Sequence, residues 1–301
     1  MNVKQRRVNE ISSLFILTAG VLWGIISLFV RHLQETGLTS MQIVSVRVLL
    51  AAVIMVLYLV LRDRQALRIK LKDLPLFFGT GVCSIVFFNF CYFKTIELTG
   101  GAAVPALLLY TSPVFVMILS MILFDEQITL RKFISLIITL AGLVLVTGVF
   151  SGNESVSLKV IFTGLGSGFG YALYSIFGKY LLPKYKPVTI TAYTFIVAAL
   201  FSVPFSGLMK SITMLITVKT LVSGTALAAV CTVLPFLLYT KGLEKTDAGK
   251  ASVLATAEPF VAAIAGAVFF HEEFTPLKMA GMILIFAAII ILNTGSNEKI
   301  Y

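Results

Sequence analysis

Ten apolar stretches, each near the length that crosses a bilayer, constrain this chain more than any single residue does. They fall at residues 11–30, 41–61, 74–93, 102–124, 133–150, 160–178, 188–208, 220–240, 251–270 and 279–292. A spanning helix needs about 20 mostly apolar residues. Hydrophobicity that runs all round a helix over such a length favours a span over a core helix of a soluble domain. A β-barrel would instead show short alternating segments, and the chain has none. Ten spans with short links use up nearly all of the 301 residues, leaving no room for a soluble domain. The charged fraction of 13% agrees, since a soluble globule carries about 25%. The first stretch follows a basic, polar start at Met1 to Arg7. It has full span length and no small-residue cleavage site, so it reads as a retained helix and not as a signal peptide.

The net charge of +10 would raise nucleic acid as a partner in a soluble protein. Here the basic residues follow the loops. One set of alternate loops, with both termini, holds 17 Lys and Arg, and the other set holds five. Basic loops face the cytoplasm, so both termini are expected inside a bacterial inner or plasma membrane, and no nucleic-acid partner is expected. The three cysteines, Cys83, Cys91 and Cys231, lie within apolar stretches. An odd number so placed gives neither a disulfide framework nor metal-ligand spacing. No metal site and no cofactor are expected.

The chain also repeats itself. Residues 113–129 read PVFVMILSMILFDEQIT and residues 259–275 read PFVAAIAGAVFFHEEFT. At an offset of 146, Pro113/Pro259, Phe124/Phe270, Glu126/Glu272 and Thr129/Thr275 are identical. Tyr92/Tyr239, Lys94/Lys241 and Glu97/Glu244 match at 147, and Ser27/Ser175, Phe29/Phe177 and Leu33/Leu181 at 148, with Trp23 opposite Tyr171. Each half then holds five spans, residues 11–150 and 158–293, joined by a polar link at 151–157. Five is odd, so the second half enters the membrane the other way up. Inverted repeats of this kind mark secondary transporters, whose binding site lies near the midplane between the halves.

Several motifs make the pattern specific. They are Trp23-Gly24, Arg47, Thr111-Ser112-Pro113 leading to Asp125-Glu126, and Ala257-Glu258-Pro259 leading to His271-Glu272. With them, both halves resemble the EamA domains of the drug/metabolite transporter superfamily. The resemblance implies a ten-helix, alternating-access carrier of small metabolites, many members being exporters. It also implies that spans one, three, four, six, eight and nine surround the pathway. One departure stands out, Ser112 where the second half has Glu258.

Ionised groups at depth are scarce and costly, roughly 2.5 kcal/mol or more at a helix centre. Glu258 lies about seven residues into the ninth stretch, just before Pro259. Proline frees a carbonyl upstream, which suits a cavity wall. Glu258 is therefore either a substrate contact and proton-coupling group, or a structural carboxyl bonded to a neighbouring helix. Arg47 does not lose its proton in practice. It either holds an anionic substrate group, pairs with Glu258, or snorkels to the surface. Lys94 with Glu97 and Lys241 with Glu244 are spaced for local ion pairs. Trp23, Asn89, Tyr110, Tyr171 and Tyr174 join the candidates, because Tyr and Trp give an apolar face with one polar tip. Tyr92, Tyr180 and Tyr239, nearer span ends, read equally well as interfacial anchors. Glycine pairs such as Gly20/Gly24 and Gly164/Gly168 read as close-packing positions, and Pro105, Pro204 and Pro235 as kinks.

The fold expected is an all-α polytopic membrane protein with ten helices in two inverted five-helix repeats. The function expected is secondary transport, most simply export, of a small organic metabolite such as an amino acid or drug-like compound. Partners are then the substrate, the lipid bilayer and, through Glu258, protons; a homodimer is left open. A flippase for amphipathic or lipid-carrier molecules is the alternative. A channel would need polar rings or a filter loop, which are missing. An intramembrane enzyme would need convergent reactive groups, and the two histidines, His32 and His271, lie near membrane surfaces, so no enzyme is expected.

Overall fold

The computed structural model of the protein describes residues 3–149, 156–215, 217–273 and 275–294. Most of the expected link at 151–157, together with Phe150, Phe274 and Lys299, lies outside these residues. Every regular element among the described residues is helical. Among the described residues nine helices are long and apolar enough to cross a membrane: α1 (Arg7–Gln34), α2 (Ser40–Arg62), α3 (Leu71–Thr99), α4 (Ala103–Phe124), α5 (Leu130–Thr147), α6 (Leu158–Leu181), α8 (Val218–Leu243), α9 (Ala248–Phe270) and α10 (Pro276–Asn293). Between them α7 (Pro187–Ser202) is apolar but shorter.

The seventh stretch, expected at 188–208, is therefore cut back. Its 16 helical residues span about 24 Å at 1.5 Å per residue, short of a hydrocarbon core of about 30 Å. Pro204 accounts for the difference: it terminates α7 instead of kinking it, and the chain turns at Gly207, whose φ is +71°. Pro105 likewise sits in the first turn of its helix, where a missing N–H costs nothing. Pro235 follows a π-helical turn at Ala229–Val233 in α8, where the Thr232 hydroxyl donates to Leu227 O at 3.0 Å. A second π turn, Gly79–Val86, interrupts α3.

The close helix contacts join the first half of the sequence to the second. α1 packs on α8 and α9, α2 on α7 and α8, α3 on α6 and α7, α4 on α6 and α9, and α5 on α10. Small residues make these approaches, as their spacing implied. A Cβ on Gly24 would lie 2.7 Å from Glu258 O, and one on Gly168 would lie 2.8 Å from Leu108 O. At the α5–α10 crossing a Cβ on Gly142 would lie 2.7 Å from Gly281 O, a backbone atom that cannot swing aside. Gly142→Ala is thus expected to lower stability by about 1–3 kcal/mol through overpacking. Thermal unfolding of the purified protein in detergent reads this directly, and an unchanged midpoint would contradict it.

On the basic face, the α2–α3 connection is docked on the α6–α7 connection. Lys184 contacts Asp73 at 2.6 Å, the Tyr185 hydroxyl donates to Asp73 at 2.8 Å, and Lys186 meets Asp63 at 2.7 Å. The Lys186 hydrogen bond holds the Asp63 carboxyl below its ordinary value. That contact is present above the ordinary carboxylate range and is lost as pH falls through the lowered value. Lys94–Glu97 at 2.8 Å and Lys241–Glu244 at 2.7 Å form the local ion pairs their spacing allows.

Candidate functional site

Besides a turn at Ile25 in α1, two helices among the described residues are broken just before a proline. α4 consists of Ala103–Leu109 and Ser112–Phe124, and α9 of Ala248–Leu254 and Ala257–Phe270. Each break carries a threonine whose hydroxyl turns back on its own helix. Thr111 donates to Leu108 O at 2.6 Å and Thr256 to Val253 O at 2.5 Å. A proline follows two or three residues later and cannot continue the ladder. Glu258 therefore lies in the first turn of a half-helix, where exposed N–H groups and the helix dipole favour negative charge. Gly20 and Gly24 let α1 run directly across this break, and Gly164 and Gly168 let α6 run across the one in α4.

A cavity of about 160 Å³ lies beside the break in α9. Its wall includes Trp23, Arg47, Asn89, Tyr110, Tyr171 and Glu258, contributed by α1, α2, α3, α4, α6 and α9. Six of the seven candidate residues are thus brought together from positions up to 235 apart in sequence. The Tyr171 hydroxyl donates to Glu258 Oε2 at 3.1 Å, and Tyr110 borders the same cavity. Asn89 donates its amide to Ile85 O at 2.7 Å, at the end of the π turn of α3.

Arg47 neither snorkels nor forms an ion pair with Glu258. It borders the cavity, its Nε is buried, and among the described residues its side chain makes no hydrogen bond or ion pair. Arg47 and Glu258 border the same cavity without forming an ion pair.

Tyr174 is not part of this wall. It lies one helical turn below Tyr171, where its hydroxyl shares a hydrogen with Thr240 at 2.6 Å. Beside it, Ser175 and Tyr239 are joined at 2.7 Å. Tyr239 is only 4% exposed and packs on Trp23 with ring centroids 5.5 Å apart, so it is a core residue and not an interfacial anchor. Tyr92, also read as an anchor, borders the cavity, as do Phe88, Phe236, Ile43 and Val44. No polarity or spacing marks these apolar residues out. Only the offset that pairs Tyr92 with Tyr239 hinted that the two share a structural role. Tyr180 is 38% exposed, packs against Phe124, and stays at the surface.

From the cavity toward the basic face the structure closes in layers. Trp23, Phe236, Tyr239 and Tyr174 form an aromatic floor with edge contacts at 5.1 Å and 4.9 Å. Beneath it lies a charged layer. Glu126, at the end of α4, accepts the backbone N–H groups of Ala248 at 2.8 Å and Gly249 at 3.2 Å, which open α9. Lys179 of α6 donates to Thr246 O at 2.7 Å and lies 3.9 Å from Glu126, while Lys132 of α5 pairs with Asp247 at 2.9 Å. Toward the opposite face the cavity is bordered by Ile26, Val30, Ser40 and Ile43. There, the bridge of Arg31 to Glu272 at 2.7 Å is half exposed.

Membrane-length helices around a buried cavity lined by aromatic side chains and two ionisable ones fit a transport protein. The chain belongs to the EamA-like transporter family, whose model matches it over residues 11–148 and again over 158–294. An uncharacterized transporter of Archaeoglobus fulgidus is 29% identical over 277 residues, 90% of this chain and 94% of that protein. The uncharacterized transporter YwfM of Bacillus subtilis is 24% identical over 96% of each chain. The threonine/homoserine exporter RhtA of Escherichia coli is 27% identical over 76% of this chain and 72% of its own. A solved crystal structure superposes with a TM-score of 0.77 over 93% of this chain and 95% of that one; at 17% identity this shows the shared fold. The chain is a membrane transporter and not an enzyme.

Proposed function

We propose that this protein is a secondary transporter that exports a small organic metabolite, such as an amino acid or drug-like compound, across the cytoplasmic membrane by alternating access. The observation that carries the reading is the cavity at the α9 break, sealed by aromatic and charged layers on one face and bordered on the other by few contacts. A pore would need a continuous path, and this cavity ends on the Trp23 floor. By the distribution of Lys and Arg the sealed face is cytoplasmic, and both termini lie on that side. An exporter among the relatives supports the direction.

The two halves act as inverted five-helix repeats, α7 being the short tenth member. Beyond the sequence matches, three local features recur at similar positions in the two halves. The helix breaks after Leu109 and Leu254 correspond, as do the π turns of α3 and α8. Asp125 and His271, 146 apart, both take φ +54°, and each lets the following glutamate N–H reach back to Ser120 O or Gly266 O. Such left-handed caps close a helix with one bond from beyond its end. Rocking one repeat against the other would exchange the sealed and open faces. Glu258 serves as the coupling group, being the one acid in the cavity wall.

Purified protein in liposomes tests this reading. Saturable uptake with counterflow of unlabelled substrate is the expected result. Linear, unsaturable flux would make the protein a channel, and movement of labelled lipid between leaflets without solute uptake would make it a flippase.

A further inference from the structure

We infer that the basic face carries a site for an anionic phospholipid, its phosphodiester headgroup held by Lys184, Lys186 and Lys241 and an acyl chain laid along Leu237 and Leu238 of α8. The site is an open groove of about 750 Å³ between the α6–α7 connection and the last two turns of α8. None of its residues borders the cavity at the α9 break, so it is independent of the transported solute. It lies at the membrane surface: α6 ends at Leu181, α7 starts at Pro187 and α8 ends at Leu243, so three helices leave the apolar layer around it. From Leu237 to Glu244 a helix rises about 10 Å. That is enough to cross the interfacial layer, about 5–7.5 Å thick on each side of the bilayer.

The chemistry changes along that rise as it does along a lipid. At the deeper end Leu237, Leu238 and Val188 form an apolar wall, and Leu234, one turn further along α8 and 44% exposed, continues it. At the shallower end three lysines converge from two separate elements. Each has an acidic partner: Asp73 for Lys184, Asp63 for Lys186 and Glu244 for Lys241. The acids sit behind the lysines. The three lysine side chains are about half exposed or more, whereas Asp73 is 4% exposed and Asp63 and Glu244 are largely covered. An ammonium has three donors, so one bond to its acid fixes its place and leaves the others for a ligand. The charge presented outward is therefore positive. The α2–α3 connection docked behind adds to it, with Arg62, Arg64, Arg68, Lys70 and Lys72 against Asp63 and Asp73. A soluble phosphate would meet the lysines and leave the leucine wall bare. A choline lipid would bring its own cation among the lysines. An anionic phospholipid fits both ends, and basic pockets between helices on the cytoplasmic side are suited to such headgroups.

Native mass spectrometry of the full chain in detergent counts the lipids it retains as phosphatidylglycerol or phosphatidylcholine is titrated in. Saturable retention of phosphatidylglycerol is expected, and much weaker retention of phosphatidylcholine. Changing Lys184, Lys186 and Lys241 together to glutamine should weaken phosphatidylglycerol binding about 100-fold, from about fivefold per lysine. Arginine at the same three positions should preserve it. Lys241→Gln alone leaves Glu244 beside Lys245 and does not touch the α2–α3 connection, so it should weaken binding about fivefold in a normally folded protein. Leu238→Gln should weaken binding with no change of charge. Lys159→Gln, Lys210→Gln and Lys219→Gln together remove the same charge from the opposite set of loops and should leave retention unchanged. Inorganic phosphate and glycerol 3-phosphate, which lack acyl chains, should not displace the lipid at millimolar concentration. The inference is overturned if phosphatidylcholine binds as tightly as phosphatidylglycerol, or if the opposite-face triple variant weakens retention as much as the groove triple variant. It is equally overturned if Lys241→Gln has no effect or if the soluble phosphates displace the lipid. Solute counterflow in liposomes is a separate measurement, so the transporter reading stands or falls on its own.

Discussion

Glu258→Gln is expected to reduce transport driven by a pH gradient to the level of empty liposomes, while exchange at equal pH on both sides continues more slowly. Glutamine has the volume of glutamate, and its amide oxygen still accepts the Tyr171 hydroxyl now 3.1 Å from Oε2. The half-helix Ala257–Phe270 therefore keeps its start. What disappears is a group that can exchange a proton in a cavity reached from alternate sides. Removing a buried carboxylate in favour of a neutral isostere is often neutral for stability, so the melting temperature should move little. Proteoliposomes loaded at one pH and diluted into another give the measurement. Equal gradient-driven rates in variant and wild type would place coupling on another residue or on no residue.

Glu126→Ala should act at a distance, by releasing the sealed face. Its carboxylate holds the first two N–H groups of α9 and lies beside Lys179, so one side chain ties the end of α4 to the starts of α9 and the end of α6. At 9% exposure it is shielded from solvent. Charge-assisted hydrogen bonds of this kind are worth about 1.5–3 kcal/mol, and each 1.4 kcal/mol shifts a two-state equilibrium about tenfold. A thiol introduced by Ser252→Cys, just above this layer, in a chain whose native cysteines are alanine, reports the change. Its reaction with a membrane-impermeant reagent applied from the basic face should be at least about tenfold faster when Glu126→Ala is added. Arg31→Ala on the opposite face breaks a half-exposed bridge to Glu272, of a type worth about 0–1 kcal/mol, and should have a much smaller effect. If the two variants behave alike, the buried layer is not what holds that face shut.

Much of the helical frame was legible in the residues, because apolar length is a one-dimensional property. The stretches at 41–61 and 102–124 differ from α2 and α4 by a residue or so at either end. The seventh was overestimated because hydropathy continues past Ser202 while the backbone does not; Pro204 and Gly207 end the helix within an apolar run. Polar groups at depth were also conspicuous, since their cost demands a use. Arg47 and Glu258 were singled out on that ground, and Trp23, Asn89, Tyr110 and Tyr171 as aromatic or amide groups within spans; all six border one cavity. Tyr174 failed the same logic because one turn of helix separates a residue facing the cavity from one buried beneath it, and identical chemistry stands at both levels.

The sequence by itself determined that the chain lives in a membrane, that its two halves each match one family pattern, and that very few charges lie at depth. Those follow from composition and order, which need no knowledge of which helices touch. Only the tertiary structure decided that Arg47 has no ion pair among the described residues and that Glu258 is held by Tyr171 and not by the arginine. It alone showed that Glu126 joins Lys179 and the start of α9 in a buried layer, while the Arg31–Glu272 bridge is half exposed. Pairing depends on distances between side chains of different helices, and these are fixed by how closely glycines such as Gly24 and Gly168 let the helices approach.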